Sequence, residues 1–403
     1  MKTIKRTEYL DWLKRWKDKQ IIKVVSGVRR CGKSTLFDIY KEDLISNGVK
    51  DEQIISINFE DYDFEELNTA KALYTYIKAL LKTDKMNYIF LDEVQHCKNF
   101  EKAVDSLFIK DNCDVYITGS NAYFMSSELA TLLSGRYVEI EMLPLSFKEF
   151  VGALDEPYSE LSSKEKFNLY INYSSFPFIA KYNSFNEDSK DYLKGIFDTI
   201  LNKDIARRLN IADTTSLENV SKFLLYSIGN KISPTKIANT LKSSGKSVDQ
   251  KTVDKYIKGL KDSMLIYEAS RFNIKGRQYL TTQSKYYAVD IGMRNSLVKT
   301  SESDIGHILE NIVYLELRRR YKSVYVGEID SGEVDFVTIN GNNYEYFQVS
   351  ATTLDETTLQ RELAPFEKIK DNYPKYLLTL DDVFSNENYN GVIKLNVLEW
   401  LLK

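Results

Sequence analysis

The sequence predicts an α/β fold divided into several domains, with a parallel sheet in the N-terminal third. Short apolar segments at residues 21–26, 53–59 and 86–93 alternate with stretches in which apolar residues recur at helical spacing, a pattern typical of a buried parallel sheet covered by helices. The chain has 403 residues, more than one compact core usually contains, so we expect two or three domains. With only 6 prolines and 17 glycines, long disordered linkers are not expected.

Composition and charge argue against several classes of protein. There is no stretch of about 18 apolar residues, so we expect no transmembrane helix, and the charged segment 8–19 is unlike a secretory signal. Three cysteines and two histidines form neither a disulfide framework nor a zinc motif, so we expect a cytoplasmic protein. The net charge is −3, but basic residues are concentrated in residues 231–277, either as a nucleic-acid-binding face or as a solvated surface.

Residues 27–34, Gly-Val-Arg-Arg-Cys-Gly-Lys-Ser, match the phosphate-binding pattern GxxxxGK[ST] and lie between a predicted strand and a predicted helix. The glycines permit a loop whose backbone amides surround a phosphate, aided by the helix N-terminus. Lys33 is predicted to reach the β- and γ-phosphates of ATP, and the Ser34 hydroxyl to bind Mg²⁺. In this context a chance match of the pattern is the weaker interpretation. The predicted nucleotide-binding positions are Gly27, Arg29, Arg30, Cys31, Gly32, Lys33, Ser34 and Thr35.

Another predicted strand ends in two carboxylates, Asp92 and Glu93. Asp92 is predicted to orient the Mg²⁺ hydration shell, and Glu93 to polarise the attacking water as a general base. These carboxylates could instead cap the helix that starts near Asn99, but beside a phosphate-binding loop the catalytic interpretation is favoured. The strand at residues 53–59 lies between the two motifs, and this order, with a glutamate after the aspartate, is typical of the ASCE division of P-loop NTPases.

Two further polar residues are candidates for contact with the γ-phosphate. A strand predicted at residues 113–121 ends in Ser120 and Asn121, where such enzymes hold a sensor, and we assign that role to Asn121 with Ser120 as the alternative. Arg136 precedes the strand predicted at residues 137–142. It is either an arginine finger for a neighbouring subunit or part of a surface ion pair, and the first alternative requires a homo-oligomer.

These motifs, with others farther along, resemble prokaryotic AAA-type ATPases that carry a C-terminal domain of unknown function related to restriction-endonuclease-like folds. The resemblance spans nearly the full length. It implies a P-loop ATPase core at residues 1–142, a helical lid at 143–215, a winged helix at 216–300 and a nuclease-like α/β domain at 301–403. One departure is the pair Ser174 and Ser175, where relatives commonly have two glycines. The stretches that carry the resemblance are 25–35, 89–95, 117–121, 133–137, 143–150, 285–292 and 332–336.

The segment 216–300 has the pattern of a winged helix-turn-helix. Ser233 as N-cap and Pro234 at the first helical position mark the start of one helix. The next helix, at 249–263, places apolar residues inward and lysines outward, and basic residues at 275–277 would form the wing. Such a helix typically enters the DNA major groove, so double-stranded DNA is the predicted partner, and packing against the ATPase core or a protein is the alternative. The outward lysines are Lys251, Lys255, Lys258 and Lys261.

The C-terminal third resembles the PD-(D/E)xK nuclease core, with parts of the active site missing. Glu310 fills the helical position and Asp335 the position on the second strand, but Gln348 and Ser350 stand where an acidic residue and a lysine are needed. An amide binds Mg²⁺ poorly compared with a carboxylate, and serine cannot replace an ammonium group. Glu345 is on the opposite strand face from Gln348, so we expect the fold to persist without cleavage.

The sequence therefore favours an ATP-hydrolysing AAA-type protein that acts as a nucleotide-driven switch on DNA. Two alternatives remain: an ATP-gated nuclease, and a signalling NTPase that controls protein assembly without nucleic acid. Stimulation of ATP hydrolysis by DNA would separate the first hypothesis from the signalling alternative, and substitution of Asp335 would test the nuclease.

Overall fold

The computed structural model describes residues 3–119, 133, 135–243, 245–246, 248–330 and 332–403, apart from the side chains of residues 281, 282 and 302. The chain divides into two compact units. The N-terminal unit comprises Thr3–Pro144 with Asp262–Met264, and the C-terminal unit comprises Leu145–Lys261 and Leu265–Lys403. Within the described ranges, every helix is too short or too polar to span a membrane.

The described part of the N-terminal unit contains a sheet of five strands. The strands are β1 (Ile22–Ser26), β2 (Ile54–Asn58), β3 (Asn87–Asp92), β4 (Cys113–Gly119) and β5 (Tyr137–Glu141), each close to its predicted segment. The helices are α1 (Thr7–Trp16), α2 (Lys33–Ser46), α3 (Ala70–Leu80) and α4 (Phe100–Phe108). The order is β2-β3-β4-β1-β5 with parallel neighbours, so β4 separates the strand before the glycine loop from the strand that ends in carboxylates.

Helices cover both faces of this sheet. Alternate residues of β3 face opposite sides: Ile89 and Leu91 belong to a core shared with α3 and α4. Phe90 faces the other way and stacks on Tyr116, with ring centroids 4.8 Å apart, while Phe37 of α2 meets Phe90 at 5.1 Å. Because both faces are buried, the strands are apolar almost throughout, as parallel strands usually are.

The C-terminal unit combines many helices with a second sheet. Its helices are α5 (Phe147–Ala153), α6 (Ser163–Asn172), α7 (Pro177–Lys181), α8 (Asp188–Thr199), α9 (Thr214–Tyr226), α10 (Pro234–Ser243), α11 (Gln250–Asp262), α12 (Ile291–Leu297), α13 (Ile305–Arg320), α14 (Glu356–Glu367) and α15 (Val397–Leu402), with a π-helix at Ile200–Ala206. Its strands are β6 (Lys231–Ile232), β7 (Ile266–Asn273), β8 (Gln278–Ala288), β9 (Val324–Ile329), β10 (Gly332–Asn340), β11 (Asn343–Ser350), β12 (Lys375–Thr379), β13 (Asn388–Tyr389) and β14 (Val392–Asn396).

The strands of the C-terminal unit belong to one continuous sheet. Where described, its order is β13-β14-β12-β11-β10-β9-β7-β8-β6. β7 pairs in parallel with β9, with Arg271 opposite Val326 and Asn273 opposite Glu328. The boundary that the sequence predicts at 300/301 therefore falls inside a single layer, and the β7–β8 hairpin shares its backbone hydrogen bonds with the C-terminal strands.

Three helices, α9, α10 and α11, precede this hairpin, and β6 pairs antiparallel with β8. The start of α10 is confirmed: the Ser233 hydroxyl accepts a hydrogen bond from the Lys236 amide at 3.2 Å, and Pro234 is the first helical residue. The predicted faces of α11 are also confirmed, because its apolar side is buried while Lys261 pairs with Glu268 at the rim. The exposed lysines of α11 are Lys251, Lys255 and Lys258.

The two serines that depart from the related pattern lie in a buried turn. The amide and the hydroxyl of Ser175 both donate to Asp290 Oδ2, at 2.7 and 2.5 Å. Gly292 packs on the same turn, because a Cβ on it would lie 2.2 Å from the carbonyl oxygen of Tyr173. The hydroxyl of Ser175 thus gives Asp290 a hydrogen bond that a glycine could not supply.

Candidate functional site

The glycine loop joins the end of β1 to the start of α2. Gly27 and Gly32 have φ angles of 155° and 104°, which glycine adopts without strain. A Cβ on Gly27 would lie 2.4 Å from the carbonyl oxygen of Met142, so a larger residue does not fit. Ser34 and Thr35 are exposed in the first turn of α2, where free backbone amides favour an anion. The loop therefore has the shape and polarity that a polyphosphate requires.

Lys33 lies between this loop and the carboxylates that end β3. Its Nζ donates to the carbonyl oxygen of Gly27 at 3.1 Å and lies 3.3 Å from Glu93 Oε1. Burial alone would lower the pKa of Lys33, but neighbouring acidic groups, among them Glu93 and Asp92, raise it above its ordinary value. The side chain is therefore a buried cation beside the glycine loop.

The hydroxyl of Thr118, in β4, links the two carboxylate residues. It donates to Asp92 Oδ1 and accepts a hydrogen bond from the Glu93 amide at 2.9 Å. Burial raises the pKa of Asp92, and hydrogen bonds from Ser34 and Thr118 partly offset that rise. The structure thus brings together the hydroxyl of Ser34 and the carboxylate of Asp92, and hard oxygen ligands of this kind suit Mg²⁺.

The Glu93 carboxylate is held at both oxygens. Oε1 faces Lys33, and Oε2 accepts a hydrogen bond from Gln95 Nε2 at 2.5 Å. The backbone of Glu93 is left-handed, with φ at 53°, and its side chain makes no capping hydrogen bond to the 3-10 helix Val94–His96. These contacts hold the carboxylate toward the loop, as the catalytic interpretation requires.

Arg6 supports the glycine loop from the N-terminal segment, although no motif in the sequence points to it. Its guanidinium donates to the carbonyl oxygens of Cys31 at 3.0 Å and Leu143 at 2.6 Å. The residue is 4% exposed and its guanidinium lies 4.7 Å from the ring centroid of Tyr9. A buried guanidinium with two carbonyl partners fixes the spacing between the loop and the segment after β5.

Two other predicted loop positions point away from that support. Arg29 pairs with Glu60, with 3.0 Å between Nη1 and Oε1. Arg30 is exposed and has a left-handed backbone, with φ at 68°. Their side chains therefore do not build the loop, and their predicted contribution to nucleotide binding rests on their backbone amides.

Comparison with known proteins places this chain in a family. Residues 19–151 match a family described as an AAA domain, and residues 164–304 match a domain of unknown function, DUF8612. An uncharacterised protein of Haemophilus influenzae is 38% identical over 402 residues, covering 99% of both chains. One of Methanocaldococcus jannaschii is 34% identical over 379 residues, covering 90% of this chain and 80% of that protein. The chain belongs to a prokaryotic family of AAA-domain proteins.

Among solved structures, a Walker-type ATPase of Pyrococcus abyssi aligns with this AAA-domain protein at a TM-score of 0.48. The sequences are 15% identical, and the alignment covers 72% of this chain and 95% of that chain.

Two further predicted residues of the AAA domain have different outcomes. Asn121, with its alternative Ser120, lies outside the described residues. Arg136 lies at the start of β5, where its carbonyl oxygen accepts a hydrogen bond from the amide of Ile22, the first residue of β1, at 2.9 Å. The glycine loop follows the other end of β1. Arg136 therefore lies where the parallel strands begin, and the loop lies where they end. Its half-exposed guanidinium lies 3.4 Å from Asp105 Oδ1, which is the surface ion pair that the sequence left open.

The nuclease-like positions of this AAA-domain protein meet around a lysine in the C-terminal unit. Lys285 of β8 places its Nζ 2.8 Å from Glu310 Oε1 and 2.7 Å from Glu333 Oε1. Asp335 Oδ1 lies 3.8 Å from the same Nζ. Glu310 and Asp335 are therefore neighbours, as predicted, and they are joined by Glu333 and Lys285, which lie in two stretches that carry the resemblance but were assigned no role from the sequence. We call these four residues the Lys285 cluster.

Gln348 lies beside the cluster and Ser350 does not. The Gln348 side chain accepts a hydrogen bond from the Asp335 amide at 3.2 Å and donates to Glu362 Oε2 at 2.8 Å. The Ser350 hydroxyl donates to a nearby backbone carbonyl oxygen, and Glu345 bonds a tyrosine elsewhere. Across the residues that the structure describes, no group of three or more His, Cys, Asp or Glu side chains is placed to hold a metal ion.

Burial and charge act in opposite directions on the cluster. Burial would raise the pKa of Glu310, but Lys285 holds it below its ordinary value. Burial and the negative charge of Glu310 raise the pKa of Asp335 well above its ordinary value. Glu310 is therefore the ionised partner of Lys285, and Asp335 is the carboxyl group that is easier to protonate.

The tip of the β7–β8 hairpin contacts the C-terminal strands of the same unit. The Arg277 guanidinium lies 5.1 Å from the ring centroid of Tyr344, and Lys275 Nζ lies 3.7 Å from Asp330 Oδ1. The amide of Ile274 donates to a backbone carbonyl oxygen of β9 at 2.9 Å. Despite these contacts Lys275 and Arg277 are exposed, as are three of the lysines of α11.

Proposed function

We propose that this AAA-domain protein binds ATP with Mg²⁺ at its glycine loop and hydrolyses the bond between the β- and γ-phosphates. The observation that carries the proposal is the convergence of Lys33, Asp92 and Glu93 beside the loop, with Thr118 bonded to both carboxylate residues. A cation, a metal-binding carboxylate and a base carboxylate beside a phosphate cradle are the groups that phosphoryl transfer to water requires.

Each group has a separate task in that reaction. Backbone amides of the loop and the Lys33 ammonium bind the β- and γ-phosphates and stabilise the charge that develops on them. Glu93 accepts a proton from the water that attacks the γ-phosphorus, while the bond from phosphorus to the β–γ bridging oxygen breaks and ADP leaves. Mg²⁺, held by Ser34 and Asp92, would neutralise charge on the phosphate oxygens.

The test is a Glu93→Gln variant, which removes the base and keeps the shape. We expect ATP to bind with little change while kcat falls by about 10²-fold or more. Glu42→Gln is the matched control, because Glu42 is exposed on α2 and loses the same charge. If kcat of the Glu93 variant matched that of the control, the assignment of Glu93 as base would be wrong.

We further propose that α11 binds the phosphate backbone of double-stranded DNA and that this contact is coupled to ATP turnover. The supporting observation is that Lys251, Lys255 and Lys258 are exposed on successive turns of a helix whose other side is buried. A helix presented in this way after two others, and before a hairpin, is suited to the DNA major groove. Lys275 and Arg277 at the hairpin tip are also exposed and can add phosphate contacts that carry no sequence information.

The three lysines can be tested together. Replacing them by glutamine should reduce the slope of log K for DNA binding against log salt by about 2.7, as expected for three lost phosphate contacts. A control variant with glutamine at Lys164, Lys190 and Lys194, which are exposed elsewhere in the C-terminal unit, should keep the wild-type slope. Equal slopes in both variants, or ATP hydrolysis that DNA does not stimulate, would favour the alternative of a signalling NTPase without nucleic acid.

A further inference from the structure

We propose that Lys285 is an internal cation that takes the place of a divalent metal ion in the nuclease-like cluster. The cluster then serves as a metal-free joint between the β7–β8 hairpin and the C-terminal strands and helices. This inference concerns the C-terminal unit alone and is independent of ATP hydrolysis and of DNA binding by α11.

The geometry assigns the same oxygen atoms to the ammonium that a metal ion would need. In a metal-dependent nuclease of this fold, carboxylates at the positions of Glu310 and Asp335 hold the ion. Here those two carboxylates face Lys285 Nζ at 2.8 and 3.8 Å, and Glu333 adds a third oxygen at 2.7 Å. One cation thus meets carboxylates from α13 and β10.

Two of these carboxylates also accept hydrogen bonds from other groups. Glu310 Oε1 accepts a further hydrogen bond from the Tyr287 hydroxyl at 2.7 Å, and Asp335 Oδ2 accepts one from the Val349 amide at 2.9 Å. A metal ion at the cluster would have to displace both the ammonium and parts of this network. Such exchange is unfavourable, because displacing the ammonium would leave a buried charge without its hydrogen-bonded partners.

Burial leaves little room for a hydrated ion. Lys285 is 5% exposed, Glu310 7% and Asp335 9%. The backbone closes over Glu310 as well, because a Cβ on Gly229 would lie 3.1 Å from Glu310 Oε2. A divalent ion usually keeps several water ligands when few carboxylates hold it, and this enclosure opposes them.

The same distances argue against Lys285 as the lysine that the nuclease motif lacks. That lysine assists a water molecule while the carboxylates hold the metal ion. The Lys285 ammonium is instead within 2.8 Å of two carboxylate oxygens, so it neutralises the ligand set itself. The carboxylates therefore remain at the nuclease-like positions, but with Lys285 they form a structural ion-pair cluster.

The test is to remove the internal cation from the full chain and supply a metal ion. Wild-type protein, titrated with MnCl2 without nucleotide, should bind no Mn²⁺ that depends on Glu310. Lys285→Ala should gain one Mn²⁺ per chain, and its melting temperature should rise by several degrees in MnCl2 relative to EDTA. The control Lys285→Ala/Glu310→Gln lacks one ligand and should lose most of this gain.

Each result decides the proposal. Mn²⁺ binding to wild-type protein that disappears in Glu310→Gln would overturn it, because the site would then be a metal site with Lys285 in place. A folded Lys285→Ala variant without Mn²⁺ binding would also overturn it. If Lys285→Ala folds in neither buffer, Lys285→Ala/Glu333→Gln, which leaves two carboxylates, carries the test: Mn²⁺-dependent stabilisation supports the proposal and its absence overturns it.

Discussion

The hydroxyl of Thr118 accepts a hydrogen bond from the backbone amide of Glu93 at 2.9 Å and donates one to the Asp92 carboxylate. A side chain of β4 thereby holds in register the two residues to which we assign the metal ion and the attacking water. Because β4 lies between β1 and β3, Thr118 connects the base to the strand that leads into the glycine loop. It is a positioning residue, since it bonds both carboxylate residues.

Thr118→Val should lower kcat for ATP hydrolysis by about 10-fold to 100-fold, because the base and the metal ligand lose their common support. The Glu93 amide would also lose its buried acceptor, at a cost of about 1–3 kcal/mol in the free energy of unfolding. Steady-state ATPase assays and thermal unfolding measure the two effects. Thr118→Ser keeps the hydroxyl and should behave like wild type; equal kcat values for the two variants would contradict the positioning role.

Gly27→Ala should abolish nucleotide binding. The added Cβ would meet the carbonyl oxygen of Met142 at 2.4 Å, so the loop must move away from the segment after β5. Gly48→Ala is the matched control, because Gly48 also has positive φ, at 92°, but nothing within 4 Å, and its cost should be roughly 1–2 kcal/mol of backbone strain. A fluorescent ATP analogue reports binding, and full affinity in the Gly27 variant would show that the loop tolerates a side chain.

Asp381→Asn should change how stability depends on pH. Asp381 Oδ2 lies 3.0 Å from Lys394 Nζ and accepts a hydrogen bond from the Thr353 amide at 2.9 Å. Burial opposes ionisation, but these partners hold the pKa of Asp381 below its ordinary value. A depressed folded-state pKa gives stability that is present above the unfolded-state pKa of about 4 and is lost as pH falls through the lower folded value.

Unfolding by urea between pH 2 and pH 7 measures this effect. The Asp381 variant should be less stable than wild type at pH 7, by about 3–5 kcal/mol because Lys394 stays buried without its partner. The difference should shrink below pH 4. Asp382→Asn, an exposed neighbour, should lose little stability, and a deficit that stayed constant down to pH 2 would rule out ionisation of Asp381 as its cause.

Arg136→Ala should lower kcat by about 10³-fold if the guanidinium reaches the γ-phosphate of a neighbouring subunit. Arg136 lies beside the first residue of β1, whereas the glycine loop of its own chain follows the last residue of β1, so the effect requires an assembly. Mixing Arg136→Ala with Glu93→Gln protein should restore activity, because one partner supplies the base and the other the arginine. Asp105→Asn should keep kcat near wild type, and no recovery on mixing would leave Arg136 as a surface ion pair.

The glycine loop and the carboxylates of the AAA domain could be predicted because their signals are local. A strand, a loop of set spacing and a helix follow one another in the chain, and each has its own pattern. Thr118 is a single polar residue in an apolar strand, and Arg6 precedes a helix whose charged pattern suggests solvent. Their roles depend on contacts over 25 and 137 residues of sequence separation, which no local pattern encodes.

The C-terminal unit was predicted less completely for the same physical reason. Helix α13 and strands β9 to β12 have recognisable periodicity and agree with the predicted order. Strand β13 has two residues and helix α15 has six, both too short for a period to show. Lys285 belongs to a different predicted domain from Glu310, so only the pairing of β7 with β9 reveals that they meet.

That pairing also limits how the chain can be divided or exchanged. Cutting the chain at residue 300 and separating the two parts would remove the backbone hydrogen bonds between β7 and β9. Each part would then have an exposed strand edge with unpaired amide and carbonyl groups, which readily pairs with strands of other chains. Either part, produced alone, should therefore aggregate rather than fold as an independent domain. The α11 helix with its exposed lysines and the C-terminal strands are therefore expected to be retained or lost together.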